Sequence, residues 1–277
     1  MQMKKDSSAS FKQSTVLPWV ELRIANRTSA CYDAHSHDEF SFGIIEQGRA
    51  EYRNRHQSHR IGKGDIVTIN PADVHSCNPE AGTWSYSMLF IDAIEMGALQ
   101  RDVLQHETSR MCEDYQPFKA DFERDQTLRH GYLRLFHALQ SEADALQVES
   151  RLYDFIQTSL RLGTRQNIAA KPSGSLRRVK EKLLDEITGS HQLEQLAQEA
   201  EMSRYQLLRA FKHHFGLPPH SYLLDEKIKR AKVMLKSGQE ISQVAYELGF
   251  SDQAHFQRQF KKRLAVTPKY YQSHFVD

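Results

Sequence analysis

The chain has 277 residues, enough for two domains, and a formal net charge of +2 that is unevenly placed: residues 171–277 hold 18 Lys/Arg against 12 Asp/Glu, the remainder 19 against 23. No apolar run reaches the ~18 residues that a membrane span needs, and the N-terminal MQMKKDSSASFKQS lacks the apolar core of a signal peptide. Cys31, Cys77 and Cys112 are odd in number, widely spaced and form no CxxC, which argues against a cysteine-rich zinc module and a disulfide scaffold and leads to the expectation of a soluble cytoplasmic protein.

Residues 1–15 are polar and Ser-rich and read as a disordered lead-in. Residues 16–162 then form the first expected domain. VELRIA, EFSFGIIEQG, AEYRN, GDIVTINP and TWSYSMLFID are short, rich in β-branched and aromatic residues, and bounded by Gly, Pro, Asn or Asp. Short strands in succession without helices between them predict an antiparallel barrel or jelly roll, the cupin type among them. His35, His37 and Glu39 alternate in AHSHDEFSFG, so on a strand all three face one way. His75 follows Pro71, where the chain turns. The four residues are the candidate ligand-binding set for a small polar molecule, the alternative to a bound ligand being a merely structural hydrogen-bonded cluster.

The arrangement resembles the two cupin motifs as AraC-type sensor domains carry them. A metal-binding cupin resembles it too, but that pattern wants a Glu where Ser41 or Phe42 stands. No metal or other cofactor is therefore expected, with His35, His37 and His75, joined by Glu39 or Glu46, as the donors a divalent ion would use. His56 and His59, in the basic RNRHQSHR, read as a solvated hairpin tip.

After Asp92 the pattern turns helical. Leu128, Tyr132, Leu135 and Leu139 make one stripe over Gln126–Gln140; Leu152, Phe155, Ile156 and Leu160 make another over Glu149–Gly163. The pair completes the domain core or, as the resemblance to AraC-type sensor domains implies, forms a dimer contact. Residues 163–175, with Gly, Pro and Ser and no apolar period, read as the linker.

Residues 176–277 predict an all-α module. SLRRVKEKLLDEIT is a supporting helix, with Leu176, Val179 and Leu183 free to pack on the first helix-turn-helix. Two copies of one pattern come next. Leu193, Leu196 and Ala197 match Ile241, Val244 and Ala245 at an offset of 48 residues. Ser203, Leu207, Arg209, Phe211, Lys212, Gly216, Pro219 and Tyr222 match Asp252, Phe256, Arg258, Phe260, Lys261, Ala265, Pro268 and Tyr271 at an offset of 49, because the second turn holds one more residue. Each copy reads as a short helix, a tight turn and a second helix capped by Ser203 or Asp252; Ser203 with Gln206 makes a capping box. An apolar face beside an Arg/Gln/Lys face suits a recognition helix in a major groove. Pro219 and Gly238 bound a connecting helix of about 19 residues, ~28 Å, which can set two recognition helices about one turn of DNA apart.

At these residues the sequence resembles the AraC/XylS family of bacterial transcription regulators, through Ala245, Gly249-Phe250, Phe256, Arg258, Phe260-Lys261, Thr267-Pro268 and Tyr271. Two positions depart from the family: Ala265 stands where Gly is usual, and Gln272 where Arg is usual. A left-handed cap at Ala265 would cost about 1 kcal/mol. The resemblance implies a regulator, not an enzyme, that binds double-stranded DNA in two adjacent major grooves as a homodimer. It implies an activator that works with RNA polymerase and answers to a small-molecule effector held in the N-terminal barrel.

The residues placed to touch DNA are Arg204, Tyr205, Leu208, Arg209 and Lys212 in the first copy and Gln253, Ala254, Gln257, Arg258 and Lys261 in the second. Arg suits the O6/N7 edge of guanine, Gln the N6/N7 edge of adenine and Leu208 a thymine methyl. The competing readings are a metal-dependent cupin enzyme with a DNA-binding appendage, and a constitutive DNA binder whose barrel only dimerises.

Overall fold

A computed structural model describes residues 8–104, 115–162 and 172–276. Residues 1–7 of the lead-in, Cys112 and residues 163–171 of the expected linker lie outside that description. Two compact units are present, and they do not follow the chain order strictly. Among the described residues, one takes in 8–30, 37–104 and 115–162; the other joins 31–36 to 172–276.

The first unit is built of antiparallel strands. Those of the first half are β1 (Ala9–Gln13), β2 (Val20–Thr28), β3 (Phe40–Gln47), β4 (Arg49–Asn54) and β5 (Gln57–Gly62). They are followed by β6 (Ile66–Ile69), β7 (His75–Pro79), β8 (Trp84–Ile91) and β9 (Phe122–Glu123). Among the described residues they form a six-stranded sheet in the order β1-β2-β8-β3-β6-β9 and a three-stranded one in the order β5-β4-β7. Tyr52 of the small sheet ties to the large one by donating its hydroxyl to the Thr68 carbonyl at 3.0 Å. The expected antiparallel β fold with flanking helices is present.

Two expectations change. Residues 9–13 are not a lead-in but an edge strand, because Ala9 and Phe11 alternate inward against β2. RNRHQSHR is not a solvated tip throughout: its second half enters β5, where His59 approaches the buried Asp121 carboxylate at 3.3 Å.

Among the described residues, three helices, α1 (Ala93–Leu104), α2 (Gln126–Gln140) and α3 (Ala145–Leu162), complete this unit. The α2 boundaries are those the apolar stripe predicts, and Asp125 caps it by accepting from the Leu128 N–H at 2.8 Å. Leu128, Tyr132, Leu135 and Leu139 of α2 and Leu152, Phe155 and Ile156 of α3 share one core with Val20, Leu22, Phe40, Phe42, Ile44, Leu89 and Ile91. Phe42 meets Phe155 edge-on at 5.1 Å. Burial of each such side chain contributes roughly 1.5–3 kcal/mol, so packing on the helices commits one face of the large sheet and leaves the opposite face open to another use.

The second unit contains α4 (Gly174–Asp185), α5 (Leu193–Glu199), α6 (Arg204–Phe215), α7 (Pro219–Lys236), α8 (Ile241–Glu247), α9 (Gln253–Leu264) and α10 (Pro268–Gln272). Leu176, Val179 and Leu183 of α4 are buried, and that helix packs on α5, α6 and α7, as a supporting helix should. The connecting helix α7 runs 18 residues, with Pro at its first turn where a missing N–H costs nothing.

Candidate nucleic-acid interface and effector site

The two sequence copies are two copies in space. The Phe211 and Tyr222 rings lie 5.6 Å apart; their counterparts Phe260 and Tyr271 also lie 5.6 Å apart. Leu207 and its counterpart Phe256 are both fully buried, so the inward face of each second helix is filled at the same place. Each turn closes the same way, with the Met202 N–H donating to the Ala197 carbonyl at 2.9 Å and the Phe250 N–H to the Ala245 carbonyl at 3.0 Å.

Both turns need a left-handed residue. Gly249 supplies it at φ 63° in the second copy, and Glu201 takes φ 56° at the same position of the first. A side chain at Gly249 would also press on Thr188, whose carbonyl oxygen would lie 3.0 Å from the added Cβ. Lys227 donates to the Gly249 carbonyl at 3.2 Å and lies over the Phe250 ring, so α7 pins the second turn.

The caps also match. Ser203 and Gln206 form the full capping box: the Ser203 N–H donates to Gln206 Oε1 at 2.9 Å, and the Gln206 N–H to Ser203 Oγ at 3.2 Å. Asp252 caps α9 by accepting from the His255 N–H at 2.6 Å, and that hydrogen bond holds its carboxyl below the usual aspartate range.

The side chains expected at DNA stand outward from this frame. Arg204, Tyr205, Arg209, Lys212, Gln253, Ala254 and Arg258 are exposed; Leu208, Gln257 and Lys261 are half-buried. Arg209 is held ready by Tyr205, its guanidinium 5.6 Å from the ring centroid and its Nη1 3.4 Å from the hydroxyl. Arg204 pairs with Glu194 at 3.2 Å, an exposed contact that a phosphate or base could replace at little cost. Ala265 ends α9 at φ 63°, as Gly216 ends α6 at φ 77°. Gln272 donates to the carbonyls of Leu235 at 3.3 Å and Gln239 at 2.7 Å, satisfying the end of α7.

In the first unit the histidines part company. Strand β3 begins at Phe40, so His35, His37 and Glu39 precede it and do not alternate along a strand. The expectation that all three face one way is therefore corrected. His35 belongs to the other compact unit, with its Nδ1 2.8 Å from the Asp33 carbonyl, and Glu39 is half-buried.

His37 and His75 do meet. Both are buried, their rings 4.7 Å apart and edge-on. Nδ1 of His37 lies 3.0 Å from the Glu39 carbonyl, and Ser41 Oγ lies 3.1 Å from its Nε2. Nδ1 of His75 lies 3.0 Å from the Asp73 carbonyl. Phe90 closes the cluster edge-on to His37 at 5.3 Å. Among the described residues no three His, Cys, Asp or Glu side chains gather as a metal would require.

The register extends this cluster along the face of the large sheet that turns away from the helices. Glu21, Phe90 and Ser41 lie in one row; Phe11, Arg23, Met88 and Gly43 lie in the next. The Met88 thioether lies where a Cβ on Gly43 would have to be. Arg23 is buried, its guanidinium over the rings of Phe11 at 5.0 Å and Tyr86 at 5.7 Å. Glu21, Arg23, Ser41 and Phe90 are further residues of this candidate site, and sequence reasoning does not single them out. The available signal is Glu21 and Arg23 at one parity of VELRIA, which on its own resembles the solvated side of a strand.

Comparison with known proteins gives the same two parts, except that residues 31–36 fall inside the N-terminal match. The AraC-like ligand binding domain matches residues 18–156, and a helix-turn-helix domain matches residues 196–274. The HTH-type transcriptional regulator YbfI of Bacillus subtilis is 28% identical over 230 residues, covering 80% of each chain. The HTH-type transcriptional activator RhaS of Klebsiella pneumoniae is 24% identical over 87% of each. The crystal structure of ToxT from Vibrio cholerae O395 shares the fold at a TM-score of 0.57 and 12% identity, covering 97% of this chain and 98% of that one. With one unit matching the ligand-binding half and the other the DNA-binding half, the chain belongs to the AraC family and is a DNA-binding transcription regulator that responds to a ligand.

Proposed function

We propose that the protein is a transcription activator that reads two adjacent major grooves with α6 and α9. The observation that supports this most is the duplicated frame: the same Phe–Tyr packing at the same spacing beneath two outward Arg-bearing helices. Base reading falls to Arg204, Tyr205, Leu208 and Arg209 in α6 and to Gln253, Ala254, Gln257 and Arg258 in α9. Lys212 and Lys261 contact phosphate. The protein acts in the cytoplasm as a homodimer, contacts RNA polymerase and catalyses no reaction; RhaS, a relative, is named an activator. No described helix is long and apolar enough to cross a membrane.

The effector binds on the inner face of the large sheet, against His37, His75, Ser41 and Arg23. The imidazoles of His37 and His75, the Ser41 hydroxyl and the Arg23 guanidinium, all buried, are groups that favour a ligand with polar or anionic groups. Hydroxyl-radical footprinting on duplexes selected from a random pool tests the DNA reading. Protection of two grooves about ten base pairs apart is expected; protection of a single groove by a folded chain would refute the bipartite reading. Elemental analysis tests the sensor: stoichiometric Zn, Fe or Mn would reassign His37 and His75 to a metal.

A further inference from the structure

Asp225 stands in the middle of α7 and is 1% exposed. One residue answers one of its oxygens twice: Oδ2 accepts from the Ser36 N–H at 3.0 Å and from the Ser36 hydroxyl at 2.7 Å. Its other oxygen lies 3.4 Å from Nε of Arg263, in the last turn of α9 and itself 5% exposed. Three residues before Ser36, the Asp33 N–H donates to the carbonyl of Lys262 at 2.9 Å. That carbonyl is one of those a helix end leaves without an internal partner. Its neighbour Tyr32 is buried. Residues 31–36 thus belong to the helical unit, although in sequence they lie between β2 and β3.

We propose that this segment is a strap that positions the second recognition helix. It joins the C-terminal end of α9 to α7 through Asp33 and the Ser36–Asp225–Arg263 latch, and so sets the posture in which α9 offers Gln253, Gln257 and Arg258 to DNA. Ser36, Asp33 and Asp225 touch no base; they act through α9. The latch is not duplicated with the rest of the frame. At the offset of 49 residues Arg263 corresponds to His214 and Asp225 to His274, so the first copy has no guanidinium there and the second no acid. The inference rests on α9 being a base-reading helix, and its test separates the two.

The latch is read without DNA, by hydrogen–deuterium exchange on the full chain. Ser36→Ala removes one of two hydrogen bonds to a charged group, and exchange at the last turn of α9 and the middle of α7 is expected to rise about tenfold. Exchange in α6 stays as it was, and Ser36→Ala adds nothing in an Asp225→Ala background, which has no acceptor for either Ser36 donor. Unchanged exchange in α9, or an equal rise in α6, would overturn the strap. The positioning role is read on duplexes selected by the wild-type chain. Ser36→Ala should lower affinity about tenfold for the half-site under α9 and leave that under α6 unaltered, whereas Ser36→Thr, which keeps both donors, restores it. Equal affinity at both half-sites, or equal loss at both, would overturn the role. A wild-type chain that selects no duplex would instead count against the DNA reading, and the exchange result alone then decides the latch.

Discussion

Ala265 adopts φ 63° at a position where a β-carbon is strained, and it is buried at the end of α9. Ala265→Gly should therefore stabilise the protein by about 0.4–1 kcal/mol once the added chain entropy of glycine is set against relieved strain. Chemical denaturation measures it, and an unchanged midpoint would mean that the local backbone relaxes. Substitutions at Arg258 and Lys212 are expected to separate specificity from affinity. Arg258→Ala should cost about 1–3 kcal/mol on selected DNA and relax preference at one base pair, while Lys212→Ala weakens all sequences alike and lowers the salt slope by about 1. Equal loss from Arg258→Ala on selected and random duplexes would remove it from base reading.

Asp252 shows how a single cap sets a pH limit. Its folded pKa lies below the 3.8 of an unperturbed aspartate because the His255 N–H donates to its charged form. A depressed carboxyl contributes stability that is complete above its unfolded value and is lost as pH falls through its folded value. The contribution is thus whole at neutral pH and is lost progressively below pH 3.8. Asp225 has the opposite sign: burial, the largest influence, raises its carboxyl although Lys229, Ser36 and Arg263 pull the other way. Stability falls as pH rises from 3.8 through that raised value, because the folded chain holds a proton the unfolded chain has released. Asp225→Asn should therefore flatten the pH dependence above pH 3.8, while Asp252→Asn flattens it below. Thermal melts taken on both sides of pH 3.8 would show both limbs, and parallel profiles for the two variants would dissociate the groups from either limb.

At the scale of elements, legibility followed periodicity. Gln126–Gln140 and the paired helix-turn-helix segments announce themselves because local caps, apolar stripes and turns all agree. The strands at Ala9–Gln13 and Gln57–Gly62 do not, since an edge strand keeps only half its side chains inside and its polar half reads as loop. The HxH spacing misleads for another reason: alternation presupposes a strand, and β3 begins only at Phe40. His37 is turned inward by Ser41 and the Glu39 carbonyl instead, contacts that no period encodes. The capping box at Ser203 is legible, and it gives a direct test. Ser203→Ala should destabilise α6 by about 1 kcal/mol, measured by urea denaturation; a loss near zero would show the end frayed in solution.

For the whole molecule, one face of the large sheet carries Arg23 and Ser41 in adjacent rows, Ser41 reaches His37, and the His37 ring meets His75 of the small sheet. Pairing register puts Arg23 and Ser41 on that face, and register depends on which face the helices bury, so it emerges only with the fold. His37→Ala is expected to abolish the response to an inducing compound while basal DNA affinity stays within a few-fold, read by a reporter and by fluorescence anisotropy. A variant that folds, binds DNA and responds as before would place the effector elsewhere.

The strap also bears on how such proteins can be recombined. A chimera cut in residues 163–172 would carry α4–α10 to a foreign sensor but leave Ser36 behind, so Asp225 would arrive with Arg263 and without its two donors. Sensor and reader in this chain are consequently not interchangeable cassettes. A functional graft needs either the six residues 31–36 or an apolar replacement of the Asp225–Arg263 pair, and the portable unit of inheritance is discontinuous in the gene.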